Sequence, residues 1–429
     1  MNILFILEDA LRARNLSCYG YPKPTSPNCD RLAAEGVRFE TCIAVSAHTF
    51  PPIVSLLTGQ TTFTHGLVSA NDYERWRHHD AWRGRRAPLR TLADCGYLVD
   101  GELVMRWAPL GFSRDRNDLD AYLDAHRNDR WFYFAEPYPT HLPYNPPETY
   151  LQQFLDPGYR PSAGTLERAE VVRSCLIVHP SGVISRQEAG AEDPIPDKDV
   201  DAAHKRIAGT VDLLPEDRPY VQALYDGEVR VFDDMVGRWL SKLESLGILD
   251  DTLIILTADH GEELMERGHV GHTSCNLKGT LYDESIHVPL IMRYPKRLPA
   301  GAVVRHQVSQ VDVMPTIFDL LGLPMPTPCD GASLLPLIED RSHTFREEAY
   351  AETPPAGWQA LPGDERRIRC VRTAEWKLIV HSDGGERSEL YHLTEDLGER
   401  RNLFDREPAV AQRLRALLDA QEKKRPSCA

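Results

Sequence analysis

Three uninterrupted apolar runs constrain this chain more than any other feature: Ile3 to Leu7, Trp131 to Ala135 and Thr252 to Thr257. A strand with one wet face alternates apolar and polar residues, whereas a continuous run needs cover on both faces, as in a parallel sheet flanked by helices. Val288 to Arg293 is a fourth candidate strand. Helical patterns lie between these runs at Asp30 to Gly36, Pro52 to Leu57 and Ala223 to Leu246, the last with apolar residues at three- and four-residue spacing. This alternation predicts an α/β fold, a three-layer α/β/α sandwich around a large, mostly parallel central sheet.

The 429 residues suit a large domain with a smaller one attached. Past about residue 345 the pattern changes. Arg369 to Val371 and Lys377 to His381 read as short antiparallel strands, followed by a closing helix from Pro408 to Glu422. The predicted division is a catalytic domain over 1–345 and a small C-terminal α+β subdomain over 346–429. Residues 155–220 break the alternation and read as an insertion, a lid or a homo-oligomer contact. Within it Val171 to Ser185 resembles a hairpin, with Pro180-Ser-Gly182 as its turn.

A formal charge of -15 argues against nucleic-acid partners, which need basic patches. The Arg83, Arg85, Arg86 and Arg90 stretch is short and reads as a solvated loop or helix face. The opening Asn2 to Leu7 run lacks the basic start and small-residue cleavage site of a secretion signal, and no run reaches the length of a membrane span. A cytoplasmic location is the expectation. The nine cysteines are odd in number, scattered and without a CxxC pair, so they read mostly as small core residues.

Asp9 directly follows the first apolar run, where open α/β sheets place ligand-binding groups. Alone it reads equally as a helix cap. Asp259-His260-Gly261 follows the third run, and an adjacent carboxylate and imidazole suit a hard or borderline cation. Thr49 precedes Phe50-Pro-Pro-Ile53, a proline-led helix start whose N–H groups and dipole favour an anionic substrate. By itself it too reads as a cap. His141, in Pro139-Thr-His-Leu-Pro-Tyr144, taken alone is a packed loop residue.

Together these pieces reach a family. Asp9 to Tyr21, Thr25-Ser-Pro-Asn28, Asp30-Arg-Leu-Ala33 and Gly36-Val-Arg-Phe39 resemble the opening of sulfatase-like enzymes of the alkaline phosphatase superfamily. Ser55-Leu-Leu-Thr-Gly59, Thr64-His-Gly66, Tyr225-Asp-Gly-Glu-Val229, Asp259-His-Gly-Glu262 and Lys278-Gly-Thr-Leu-Tyr-Asp-Glu284 continue it in order. So do Val288-Pro-Leu290, Asp312-Val-Met-Pro-Thr316 and Trp376-Lys-Leu378. The resemblance implies an alkaline-phosphatase-like fold and a divalent metal held by Asp9, Thr49, Asp259 and His260. Zinc, manganese, magnesium and calcium all suit these ligands. It also implies that Lys278 contacts a small anionic ester substrate, and that His141 lies at the end of another central strand.

The chain departs from the family at the nucleophile. Formylglycine sulfatases carry Cys or Ser in a Cys-x-Pro-x-Arg pattern, where this chain has Thr49-Phe-Pro-Pro-Ile53. Threonine is a secondary alcohol, so its oxidation gives a ketone and not the aldehyde those enzymes use. No formylglycine is expected. A Thr here resembles phosphodiesterases, phosphomonoesterases and phosphoethanolamine transferases, which use the hydroxyl directly. In the transferases a histidine at the spacing of His272 from Asp259 joins one matching His141 at a second metal or the phosphate. His269 competes for that place. The expected activity is hydrolysis of phosphate esters through phospho-Thr49, with His141, His272 and Lys278 assisting. The alternatives are a sulfatase using unmodified Thr49 and a phosphoryl transferase to another acceptor.

Overall fold

The computed structural model describes residues 1–69, 87–102, 110–112, 114–115, 118–181, 206–276, 278–340, 342–355, 365–382 and 388–425. Its centre is an eight-stranded sheet in the order Ala302–Val304, Val37–Phe39, Leu290–Arg293, Thr252–Ala258, Asn2–Glu8, Trp131–Ala135, Leu98–Gly101 and Arg114–Asp115. The three continuous apolar runs form the middle of this sheet and pair in parallel. Every residue of these three strands is buried, as a sheet covered on both faces requires. The fold is the expected mostly parallel α/β sandwich.

The fourth predicted strand differs in one respect. Leu290–Arg293 joins the sheet antiparallel to Thr252–Ala258, while Val288 belongs to a separate small sheet. Helices at Pro27–Glu35, Phe50–Thr58 and Arg218–Ser245 cover the predicted helical segments except their last residues Gly36 and Leu246, which cap the first and third. Arg90 lies in the helix Pro88–Asp94, whereas Arg83, Arg85 and Arg86 fall outside the described residues.

The hairpin expected at 171–185 is not present among its described residues, 171–181. Val171 to Ser174 end the helix Ala163–Ser174, and Cys175–His179 then pairs in parallel with the distant Arg206–Thr210. A parallel pair cannot close through a two-residue turn, so Pro180-Ser-Gly182 is not its connection. Residues 182–205 fall outside the described residues.

Ala349–Thr353, Ile368–Arg372, Trp376–His381 and Glu389–His392 form the C-terminal antiparallel sheet. The helix Pro408–Glu422 covers it, burying Leu414 and Leu418 against Val371, Leu378 and Leu390. A buried ionic cluster ties this sheet to the short helix Asp283–Ile286. Asp283 receives Arg372 Nη2 at 2.8 Å and Lys377 Nζ at 3.0 Å, and Lys377 also reaches Glu399 at 2.7 Å. Two of the family motifs, Lys278 to Glu284 and Trp376-Lys-Leu378, therefore meet at this joint. No helix among the described residues is long and apolar enough to cross a membrane.

Candidate metal and nucleophile site

Strand register builds the site. Glu8 lies opposite Ala258 across a parallel pair, so the next residues, Asp9 and Asp259, leave the sheet side by side. Residues this far apart in sequence meet because parallel strands end together, at the carboxyl edge where α/β sheets bind ligands. The turn after Asp9 is strained: Ala10 has φ +62°, a region that costs a non-glycine residue about 1 kcal/mol or more. Tyr225 holds it there. Its hydroxyl donates to Ala10 O at 2.7 Å and accepts from Arg12 N at 3.0 Å.

Asp259 is fully buried, and its Oδ1 accepts from Ala10 N at 3.1 Å and His260 N at 2.7 Å. Its Oδ2 has no hydrogen-bond donor among the described residues. His260 Nδ1 lies 2.8 Å from Gly261 O, which assigns the ring proton to Nδ1 and turns the Nε2 lone pair inward. That Nε2 faces Asp9 Oδ1 at 3.7 Å and Asp259 Oδ2 at 3.4 Å. Three lone-pair-bearing atoms converging in a buried space repel one another unless a cation lies between them. The ligand atoms of Asp9, Asp259 and His260 all lie within 4.8 Å of one another, which suits one divalent ion.

Thr49 turns its side chain into this cradle. It stands at the cap position of the helix Phe50–Thr58, but its hydroxyl makes no capping bond. Instead Oγ1 donates to Asp9 Oδ2 at 3.3 Å and lies 3.4 Å from His260 Nε2. Neither Thr49 nor Asp9 behaves as the simple cap that each residue alone suggested. The helix start contributes less than expected, because Pro51 and Pro52 carry no N–H and Ile53 N is directed to Thr49 O at 3.4 Å.

A second cluster abuts the first. The His272 ring lies 4.2 Å from that of His260 and 4.9 Å from that of His141, centre to centre. His272 Nδ1 pairs with Glu262 Oε1 at 3.0 Å, and His141 Nδ1 with Leu142 O at 2.5 Å. Both rings thus present Nε2 to Cys275, whose Sγ lies 3.4 Å from His272 and 3.6 Å from His141. Burial holds both imidazoles neutral, lowering His141 to about 3 and His272 well below its usual range. His48, beside the nucleophile, is also buried and lowered to about 3 by burial and then by His260. Its Nε2 has no hydrogen-bond partner among the described residues.

Of the two competing histidines, His272 joins this group and His269 does not. His269 pairs with Glu263, and with Lys278 it lines a separate cavity of about 70 Å³ facing Ile368, His381 and Glu389 of the C-terminal sheet. Lys278 itself is exposed. Sequence reasoning missed Cys275, although His272-Thr-Ser-Cys275 places the thiol one helical turn from a candidate ligand. It also missed Gln310, which donates to Ala258 O at 2.8 Å and Asp259 O at 2.6 Å and accepts from Val45 N at 3.0 Å, tying the metal loop to the nucleophile's segment. Gly261 has a role beyond turning the chain. A Cβ there would lie 2.1 Å from Glu284 O, so only glycine allows this approach.

The sulfatase family model matches residues 1–97 and 116–323, and one described as N-sulphoglucosamine sulphohydrolase, C-terminal, matches 272–424. An N-acetylglucosamine-6-O-sulfatase of Bacteroides thetaiotaomicron is 24% identical, covering 94% of this chain and 82% of that protein. Human arylsulfatase A is 25% identical over 94% of this chain and 83% of its own. Among solved structures, the phosphonate monoester hydrolase of Agrobacterium radiobacter superposes with a TM-score of 0.69 at 22% identity, covering 99% of this chain and 95% of that one. A structure in complex with its substrate D-glucosamine-2-N,6-O-disulfate gives 0.69 at 21% identity, with 99% and 97% covered.

Proposed function

The chain belongs to the sulfatase family and is a hydrolase of sulfuric or phosphoric esters, and from that premise we propose that it hydrolyses phosphorus esters through a covalent phospho-Thr49 intermediate. The substrates are phosphodiesters, phosphomonoesters or phosphonate monoesters. The observation that carries this reading is the placement of Thr49 Oγ1 against Asp9 and His260. An unmodified secondary hydroxyl aimed into a cation cradle acts as the nucleophile itself, and cannot become the aldehyde of the formylglycine route.

A divalent cation bound by Asp9, Asp259 and His260 supplies Lewis-acid chemistry, lowering the pKa of a hydroxyl and polarising ester oxygens. Thr49 Oγ1 releases its proton to solvent and forms the new bond to phosphorus as the bond to the leaving oxygen breaks, and the electron pair departs with that oxygen. Water then attacks phosphorus and frees Thr49. His141 Nδ1 faces a backbone carbonyl and must donate to it, so in the neutral ring its Nε2 accepts and does not donate. Protonation of the leaving oxygen then falls to solvent.

The test compares initial rates on matched aryl phosphodiester, phosphate monoester, phosphonate monoester and sulfate, with intact mass measured after acid quench. Phosphorus esters should be turned over fastest and should leave a modified Thr49. The second reading, sulfate-ester hydrolysis by the same unmodified Thr49, is favoured by the curated relatives named above. Fastest turnover of the sulfate would establish it in place of the first.

A further inference from the structure

Tyr138 is 43% exposed, and among the described residues no other Tyr, Phe or Trp side chain is exposed. A single apolar residue in water needs no explanation by itself; the position of this one does. The strand Trp131–Ala135 runs parallel to Asn2–Glu8, with Ala135 opposite Ile6. The loop that follows therefore leaves the sheet at the same carboxyl edge as Asp9, where α/β sheets bind ligands. Two hydrogen bonds fasten that loop on either side of Tyr138. Asp9 N donates to Pro137 O at 3.4 Å, and Thr140 N donates to Glu8 Oε1 at 2.7 Å.

The Tyr138 ring stacks on the His141 imidazole, with centres 4.5 Å and planes 22° apart. It is the outermost of a row of rings. His141, His272 and His260 follow inward at 4.9 and 4.2 Å, all at most 6% exposed, and His260 Nε2 lies 3.4 Å from Thr49 Oγ1. An ester whose acid group meets Thr49 at the inner end directs its alcohol part outward, along this row. We propose that Tyr138 determines specificity for that alcohol: its exposed ring receives another flat ring, either an aryl ring or the C–H face of a sugar. An aromatic face is electron-rich and a partner's ring edge is electron-poor, which favours stacking beyond the area buried. A rigid ring also loses less conformational freedom on binding than an open chain. The inference rests on ester hydrolysis at Thr49 and holds for phosphoric and sulfuric esters alike.

The test is calorimetric titration of zinc-loaded full-length protein with analogues that it does not cleave. Benzylphosphonate is compared with n-butylphosphonate, and the phosphonate isostere of glucose 6-phosphate with that of glycerol 3-phosphate. The matching sulfonates form a second series. In at least one pair the ring-bearing analogue should bind about 2- to 12-fold tighter than its open-chain mate. Tyr138→Phe should keep that advantage, whereas Tyr138→Leu and Tyr138→Ala should abolish it. The aryl and sugar pairs report separately, so the ring responsible is identified. Equal affinity of ring and open-chain analogues for the wild type, or an advantage that survives in Tyr138→Leu, overturns the proposal. So does an equal loss for every analogue in Tyr138→Ala, the mark of a residue that only packs His141. A ring advantage confined to the sulfonates leaves Tyr138 in this role and counts against the phosphorus preference of the proposed function.

Discussion

Replacing Thr49 by Val removes one oxygen at nearly constant volume, and the structure separates what this does to stability from what it does to rate. The hydroxyl is half-buried and makes two contacts, at 3.3 and 3.4 Å, long against the usual 2.7–2.8 Å of an O–H···O bond. Each is worth at most about 1 kcal/mol net. Losing both therefore changes stability by about 2 kcal/mol or less. The catalytic loss is of another order. Removing a nucleophile that acts as a unit with its activator costs about 10⁴- to 10⁶-fold in kcat, or about 5 to 8 kcal/mol at 1.36 kcal/mol per decade. Thr49→Ser keeps the oxygen and drops one methyl group, costing less than about 0.8 kcal/mol of burial, and should turn over within about tenfold of wild type. The assay is steady-state hydrolysis of a reactive aryl phosphodiester, with urea unfolding and bound-metal content measured on the same preparations. If Thr49→Val retained turnover within tenfold of wild type at equal metal content, the nucleophile assignment would be refuted.

Other consequences follow from the same geometry. Burial pushes Glu228 up to about 8 while it accepts from Asn145 N at 2.6 Å. The folded state thus keeps a proton that the unfolded chain has released, and this group's contribution falls as pH rises from about 4.5 to about 8. Glu228→Gln should therefore raise the melting temperature at pH 8 relative to pH 5, and an equal shift at both pH values would count against it. Lys377→Met leaves Asp283 and Glu399 buried without their shared cation, at a cost of about 3–5 kcal/mol; a loss under 1 kcal/mol in urea unfolding would contradict this. Gly261→Ala drives a Cβ to 2.1 Å from Glu284 O, and the forced shift of the His260 loop should cost about 1–3 kcal/mol together with bound metal, read by elemental analysis. Tyr225→Phe removes the hydroxyl bridging Ala10 and Arg12 and leaves a buried carbonyl without its donor, so about 1–3 kcal/mol should be lost. An unchanged midpoint would show that the turn at Ala10 holds itself.

The central sheet was legible because local chemistry encodes it. Continuous apolar runs can be satisfied only by strands covered on both faces, and all three runs became such strands. The ordered motifs likewise marked Asp9, Thr49, Asp259 and His260, and their grouping follows from the parallel register that sets Glu8 opposite Ala258. Where two local signals competed, the sequence could not choose between them. Pro180-Ser-Gly182 is a sound turn signal, yet the segment before it finishes a helix and pairs with a strand beginning at Arg206. His269 and His272 differ by three residues, and the choice between them rests on Glu263 taking one and Glu262 the other. Cys275 looks like any small buried residue until His141, 134 positions away, meets it. Gln310 and Tyr225 position the site across 51 and 215 residues of chain. Periodicity reports the environment of a segment, whereas partner identity depends on which distant segment packs there, and that is decided only when the chain closes in three dimensions.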